Sequence, residues 1–290
     1  MLGRNNFRTK VMQFLYAQHI SNEDTKIVEY NMFHSIEKIF DLYIYLLSLL
    51  LGLHEKFRSE KKRFPGDKLA YNKLLIILSK NKKLCQYIND NKQLSWNNYD
   101  DYLLILFKEL YTLPLYHDYC STVKSSFEED QNFILHYYEE NFANHDKLYE
   151  CLEEDYITWV DDLYPANIMV YKTLKFINPS TPNNFHLYNL YRENKYFVHK
   201  LFHKTFRYKN EFNTLIRQTS KNWNLERIAI LDLIILQMSI CEFLHFPSIP
   251  PRVTMNEYIE ITKMYSTEKS RIFVNGMINK LFKILNDKKK

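Results

Sequence analysis

Two histidines, His199 and His203, stand four residues apart, the spacing that places two zinc ligands on one face of a helix. In the H-E-x-x-H motif of metalloproteases, a glutamate follows the first histidine and serves as the general base. Lys200 holds that position here, and further cations surround the pair. The sequence therefore predicts no metal site at these histidines.

Acidic clusters and cysteines give no catalytic arrangement either. The carboxylates of Glu153-Glu154-Asp155 and Asp161-Asp162 are adjacent in sequence, so on a helix they point apart. Cys241 lies in an apolar run without a nearby cation that would activate its thiol. The chain contains 4 glycines, and no glycine-rich phosphate loop or G-x-S-x-G motif occurs. We expect no catalytic residue, no cofactor and no enzymatic activity.

Composition favours an all-α protein. The chain has 290 residues, 46% of them hydrophobic, and its few glycines and 8 prolines favour long helices over a many-turned β architecture. The net charge of +5 is compatible with RNA binding. The four cysteines lie far apart, no secretory signal opens the chain, and the apolar run Leu42–Leu53 is too short to span a bilayer. These features predict a cytoplasmic protein with no membrane segment.

Residues 223–278 carry the densest pattern of helix signals. Apolar side chains recur at helical spacing through residues 228–238, and prolines between 247 and 251 end that helix. Thr254, with Glu257 three residues later, has the spacing of a capping box, which predicts that the next helix starts there. Ser266 or Thr267 can cap a last helix.

Several landmarks, each weak alone, occur together in this C-terminal stretch: Trp223, Leu231-Asp232, Ile235-Leu236, Glu242, the proline turn, Val253-Thr254-Met255-Asn256-Glu257, Glu260, Lys263 and Phe273-Val274-Asn275-Gly276. Their combination resembles the NusB family of transcription antitermination factors. The resemblance implies an all-α fold made of two small helical bundles packed together.

The first helix, predicted over residues 4–20, resembles the opening of that family, whose basic end binds boxA RNA. Arg4, Arg8 and Lys10 are expected to contact phosphates, and arginine forks also reach base edges. Tyr16 can stack on a base or pack its ring into the core with the hydroxyl outward. Without the resemblance, the arginines would be interpreted as a solvated basic face.

Three residues near the C-terminus complete the predicted site. Lys269 and Arg271 begin the last helix, where cations oppose the helix dipole, which favours a role in holding phosphate. Asp232 interrupts an apolar run. It is either a buried carboxylate paired with an internal donor or, as the resemblance implies, part of the surface that meets a partner protein.

The chain departs from the family between its two ends. We predict a first NusB-like helix over residues 1–20, a helical insertion over 21–190 and a NusB-like core over 191–290. Within the insertion, Lys56 to Lys83 contains ten basic residues and Glu128 to Asp162 twelve acidic ones. These segments are either solvated faces that lie against each other, or surfaces for a basic partner or for shielding RNA. One helix is predicted over Leu69–Ile88.

The resemblance implies an antitermination factor that binds boxA-type single-stranded RNA together with the ribosomal protein NusE, and joins RNA polymerase and other Nus factors. One alternative is a protein-interaction scaffold of the same fold with little RNA affinity. The other is the accessory module of an RNA methyltransferase. That enzyme would need a following domain with cofactor turns, for which the residues after Gly276 offer no place.

Overall fold

A computed structural model describes residues 3–59, 68–96, 100–122, 126–143, 145–155, 157–188, 190–220 and 227–287. Over these ranges the chain is helical without a strand, which confirms the all-α class. Trp223 lies outside them. None of the described helices is long and apolar enough to cross a membrane. The α-helices are α1 Gly3–Ser21, α2 Thr25–Ser59, α3 Lys73–Ser79, α4 Lys82–Asp90, α5 Asp100–Leu110, α6 Pro114–Cys120, α7 Phe127–Tyr137, α8 Asp146–Asp155, α9 Ile157–Phe176, α10 Leu190–Arg207, α11 Lys209–Thr219, α12 Ile230–His245, α13 Pro251–Tyr265 and α14 Glu268–Asp287.

The chain divides into two compact units. The first joins Met1–Ile36 to Tyr191–Lys290, and the second is Glu37–Leu190. The division falls inside α2, which begins in the first unit and continues into the second. That residues 21–190 are an insertion relative to other proteins stays a prediction.

Helix α12 is the centre of the first unit. Its side chains are buried without interruption from Ile234 to Glu242, as expected of a helix that is apolar on all sides. α1, α11, α13 and α14 all pack against it. A helix with neighbours on every side leaves little tolerance for a polar group without a partner, so its buried polar residues need internal hydrogen bonds.

Helix α13 begins earlier than the capping-box prediction placed it. Its first residue is Pro251, a favoured residue at the first helical position. Thr254 is already inside the helix, where its hydroxyl donates to the Glu242 carboxylate at 2.7 Å. The predicted capping box is therefore wrong, because tertiary partners take the Thr254 side chain. For α14, the backbone N–H of Ser270 donates to Thr267 Oγ1 at 3.2 Å, which confirms Thr267 as its cap.

In the second unit, the predicted helix Leu69–Ile88 is divided into a 3₁₀ turn (Lys68–Tyr71), α3 and α4. The divisions fall at Asn72 and Asn81, whose side-chain oxygens accept from the backbone N–H of Leu75 and Leu84. Each asparagine is fully buried, and its amide nitrogen also donates to a distant partner. Asparagine is preferred at helix N-caps over helix interiors, because its side chain accepts hydrogen bonds from the free backbone N–H groups of the first turn.

The basic and acidic segments of the second unit meet at Lys68. This buried ammonium donates to Glu129 Oε1 at 2.6 Å, to Thr122 Oγ1 at 2.7 Å and to the Tyr119 carbonyl oxygen at 2.7 Å. The hydrogen bond from Lys68 lowers the pKa of the Glu129 carboxyl. At this point the structure favours the interpretation in which the two segments lie against each other.

A buried histidine in α2 should make the stability of the second unit depend on pH. His54 is 2% exposed, its ring faces the Ala70 carbonyl oxygen at 3.3 Å, and burial lowers its pKa to about 4. In the unfolded chain a histidine has a pKa of about 6.5. Between pH 4 and pH 6.5 the unfolded state therefore binds more protons at this residue than the folded state does. The stabilisation present above pH 6.5 is lost as the pH falls towards 4, and the loss amounts to up to about 3 kcal/mol of the free energy of unfolding.

We expect His54→Gln, which cannot take up this proton, to lose less stability than the wild type between pH 7 and pH 4.5. The measurement is the free energy of unfolding in urea at both pH values. His136→Gln is the control, since His136 is half exposed in the same unit. An equal loss in the wild type and His54→Gln would contradict the assignment.

Candidate nucleic-acid interface

Arg8 lies inside the first unit, at 2% exposure. Its Nε and Nη2 donate to the two carboxylate oxygens of Glu242 at 2.9 and 2.8 Å, and Nη1 donates to Glu257 at 3.1 Å. This is the two-pronged geometry in which a guanidinium binds a carboxylate most strongly. The expected phosphate contact of Arg8 is therefore corrected: its donors face α12 and α13, where an RNA strand cannot reach them.

The Glu242 carboxylate collects four hydrogen bonds. Two come from Arg8, one from the Thr254 hydroxyl at 2.7 Å and one from the Tyr258 hydroxyl at 3.3 Å. Burial by itself lowers the pKa of Arg8, but the hydrogen bonds that Arg8 donates to Glu242 and the nearby negative groups outweigh it, so the net pKa is raised. For Tyr258, burial raises the pKa of the hydroxyl well above its ordinary value, and the neighbouring Glu242 charge raises it further. The cluster thus holds a charged arginine and a neutral tyrosine.

Lys10 is also turned inward. It is 6% exposed, and its ammonium donates to Ser35 Oγ of α2 at 3.2 Å. This placement corrects the expectation of an RNA-facing Lys10. Since burying a lysine ammonium without a partner is costly, the contact indicates that Lys10 serves to hold α1 against α2.

Two predicted residues of α1 do face solvent. Arg4 is exposed, its Nε donates to Asn194 Oδ1 at 3.3 Å, and its guanidinium lies 5.2 Å from the ring centroid of Phe197. Tyr16 is 40% exposed, so of its two interpretations the available aromatic face is the one that the structure favours. Whether either residue binds RNA stays a prediction.

The cations at the start of α14 are accessible. Lys269 is exposed and Arg271 is partly exposed, and Arg271 forms an ion pair with Glu268 in the same turn. That ion pair offsets the penalty of a cation at a helix N-terminus, which weakens the argument that Arg271 needs a phosphate. Lys269 and Arg271 keep their predicted role as a proposal.

Asp232 sits in the first turn of α12 at 3% exposure. Its Oδ1 accepts from the hydroxyl of Ser266, the C-cap of α13, at 2.6 Å. Of the two interpretations, the structure therefore shows the buried carboxylate with an internal donor. The prediction that Asp232 belongs to a surface for a partner protein is corrected, because its carboxylate is buried.

Cations on α10 were missed in the sequence analysis. Phe197, Leu201 and Phe202 are buried, and the opposite side of the helix is polar. We call the exposed side the α10 basic face. Its residues recur at helical spacing, which was the available signal: the exposed Arg192, Lys195 and Tyr196, and the partly exposed Lys200.

The α10 basic face is continuous with the start of α1. Arg4 reaches α10 through Asn194 and Phe197. The Lys200 ammonium lies 5.6 Å from the ring centroid of Tyr196, which is 74% exposed. Cations interleaved with an accessible aromatic ring are typical of surfaces that bind single-stranded nucleic acid, because the cations bind phosphates and a base can stack on the ring.

Part of the chain, including α10, matches a known protein family. Residues 171–283 match the model of the NusB family. The resemblance predicted from the sequence is thereby confirmed for this range, which includes α10, α11, α12 and α13. We call it the NusB-family region. The α10 basic face, Glu242 and Asp232 all lie within it.

Curated relatives agree with this assignment. Over 91 residues the chain is 40% identical to the transcription antitermination protein NusB of Salinibacter ruber, covering 31% of this chain and 57% of that protein. It is 45% identical over 73 residues to NusB of Bacillus mycoides (25% and 56%) and 48% identical over 69 residues to NusB of Finegoldia magna (24% and 50%). The chain thus spans about half the length of these relatives. No solved structure matches it significantly.

The geometry of Arg8 predicts a large effect on stability. We expect Arg8→Met to lower the free energy of unfolding by about 3–5 kcal/mol, because it leaves the Glu242 charge buried without its partner. The control is Arg4→Met on the exposed end of α1, for which we expect a change within about 0.5 kcal/mol. Chemical denaturation measures both variants. Equal stabilities of Arg8→Met and the wild type would show that the ion pair does not form as described.

Proposed function

We propose that the chain is an RNA-binding factor of transcription antitermination, and not an enzyme. Two findings support this function: the NusB-family region, whose relatives are named transcription antitermination proteins, and the α10 basic face within it. The observation that carries the proposal is the row formed by the exposed Arg192, Lys195 and Tyr196 and the partly exposed Lys200, beside Arg4.

We propose boxA-type single-stranded RNA as the ligand and the ribosomal protein NusE as the partner, with RNA polymerase and other Nus factors reached through that complex. Arg4 and the cations of the α10 basic face hold phosphates, and Lys269 and Arg271 extend the positive field. Tyr16 and Tyr196 offer faces for stacking. This mechanism is electrostatic and positional, so the protein contributes a shaped surface and no covalent step.

A second candidate is a protein-interaction scaffold with little RNA affinity. The observation in its favour is that Arg8 and Lys10 are buried, which leaves Arg4 as the exposed cation among the three predicted on α1. A scaffold of this kind would bind the ribosomal partner without needing RNA.

The test is a titration of fluorescent boxA-type RNA, with and without the ribosomal partner, over a salt series. We expect Arg4→Gln and Lys200→Gln each to weaken binding and to flatten the slope of log K against log salt by about 0.7, the contribution of one phosphate contact on a single strand. Lys280→Gln, an exposed cation on α14 outside the α10 basic face, is the matched control.

The outcomes separate the two candidates. Partner-enhanced binding that prefers boxA-type RNA over a scrambled strand supports antitermination. Binding of the partner alone, with no RNA affinity at low salt, favours the scaffold. An unchanged salt slope in both Arg4→Gln and Lys200→Gln would show that neither side chain contacts a phosphate and that the RNA-binding surface lies elsewhere on the chain.

A further inference from the structure

The two histidines at helical spacing meet a carboxylate from another helix. Glu29 of α2 accepts from His203 Nε2 at 2.7 Å, and its same oxygen lies 3.6 Å from His199 Nε2. The ligand atoms of Glu29, His199 and His203 all lie within 4.8 Å of one another. We propose that these three residues form a binding site for a divalent transition-metal ion of the zinc class.

The two distances from the Glu29 oxygen to the histidine nitrogens are close to those of such a site. Zinc bonds to histidine nitrogen and carboxylate oxygen are about 2.0–2.1 Å long, so two ligand atoms of a tetrahedral site lie about 3.3 Å apart. The Glu29 distances of 2.7 and 3.6 Å lie on either side of that value. Two histidines with one glutamate leave a fourth position for water, and imidazole with carboxylate suits zinc better than magnesium or calcium.

Neighbouring rings hold the two imidazoles in place. His199 stacks on Phe33 with ring centroids 6.4 Å apart, and His203 meets Phe202 edge-on at 5.7 Å. The two histidine rings are themselves 4.3 Å apart. A site whose ligands are already oriented requires less ordering when the ion binds.

Two features of the folded chain favour a metal ion at histidines for which the sequence predicted none. Lys200, which occupies the glutamate position of H-E-x-x-H, directs its ammonium at the rings of Tyr196 and Phe246, at 5.6 and 4.8 Å from their centroids. The missing carboxylate comes from Glu29, 174 residues from His203 in sequence. All three side chains are accessible to an ion in solution, with exposures of 19% for Glu29, 56% for His199 and 41% for His203.

A bound ion would connect α2 to α10 within the first unit. Since the ion binds a folded arrangement that brings Glu29 to two histidines about 170 residues away in sequence, it raises the melting temperature by mass action. The proposal is independent of RNA binding, because its readouts need no nucleic acid.

The experiment is a calorimetric titration of the full chain with Zn²⁺. Accessible thiols are alkylated first, because Cys85, Cys120 and Cys151 are partly exposed and zinc also binds thiolates. We expect one Zn²⁺ per chain, and a loss of affinity of more than about tenfold in each of His199→Ala, His203→Ala and Glu29→Gln, since even outer-shell partners change metal affinity by 10–100-fold. His19→Ala, an exposed histidine of α1, is the matched control and keeps the affinity.

Thermal unfolding provides the second readout. Zn²⁺ should raise the melting temperature of the wild type and of His19→Ala, and EDTA should reverse the rise, while the three site variants show none. No saturable Zn²⁺ binding by the wild type would overturn the proposal. So would affinity unchanged in Glu29→Gln, because the carboxylate would then serve only as a hydrogen-bond acceptor for His203.

Discussion

The buried ion pair between Arg8 and Glu242 is the constraint on which the first unit depends. These residues are 234 positions apart, and each is almost fully removed from water. Moving a guanidinium and a carboxylate out of water costs several kcal/mol per ion, so the arrangement persists only while every donor and acceptor is satisfied. Thr254 and Tyr258 complete that satisfaction from α13. One carboxylate on α12 therefore fixes the positions of α1 and α13 together.

This constraint also divides the cations of the first helix by role. Arg8 and Lys10 hold α1 in place, whereas Arg4, closer to the start of the helix, remains exposed beside α10. The cations that we propose for RNA binding therefore lie mainly on the α10 basic face, with Arg4 as their exposed neighbour on α1. We propose that the ion pair positions the interface and that the exposed residues around it bind the ligand.

The sequence was sufficient for the all-α class and for the family resemblance of residues 171–283, because apolar periodicity and local landmarks are short-range signals. The run Leu42–Leu53, too short to span a bilayer, is buried in α2 apart from partial exposure at Leu51 and Gly52. The roles of Arg8, Asp232 and Glu29 depend on partners that are distant in sequence, and residue type alone does not reveal them. Asn72 and Asn81 show the same limit, since each ends one element and begins another through its own side chain while bonding a remote backbone group.

The most direct test of the account is RNA affinity in a folded variant that lacks the ion pair. Arg8→Met combined with Glu242→Gln removes both charges and keeps an amide oxygen that accepts from Thr254 and Tyr258. The account predicts that this double variant is more stable than Arg8→Met alone and binds boxA-type RNA with wild-type affinity and salt slope. A folded double variant whose affinity falls, with a slope flattened by about 0.7, would show that Arg8 itself contacts a phosphate and would contradict the account.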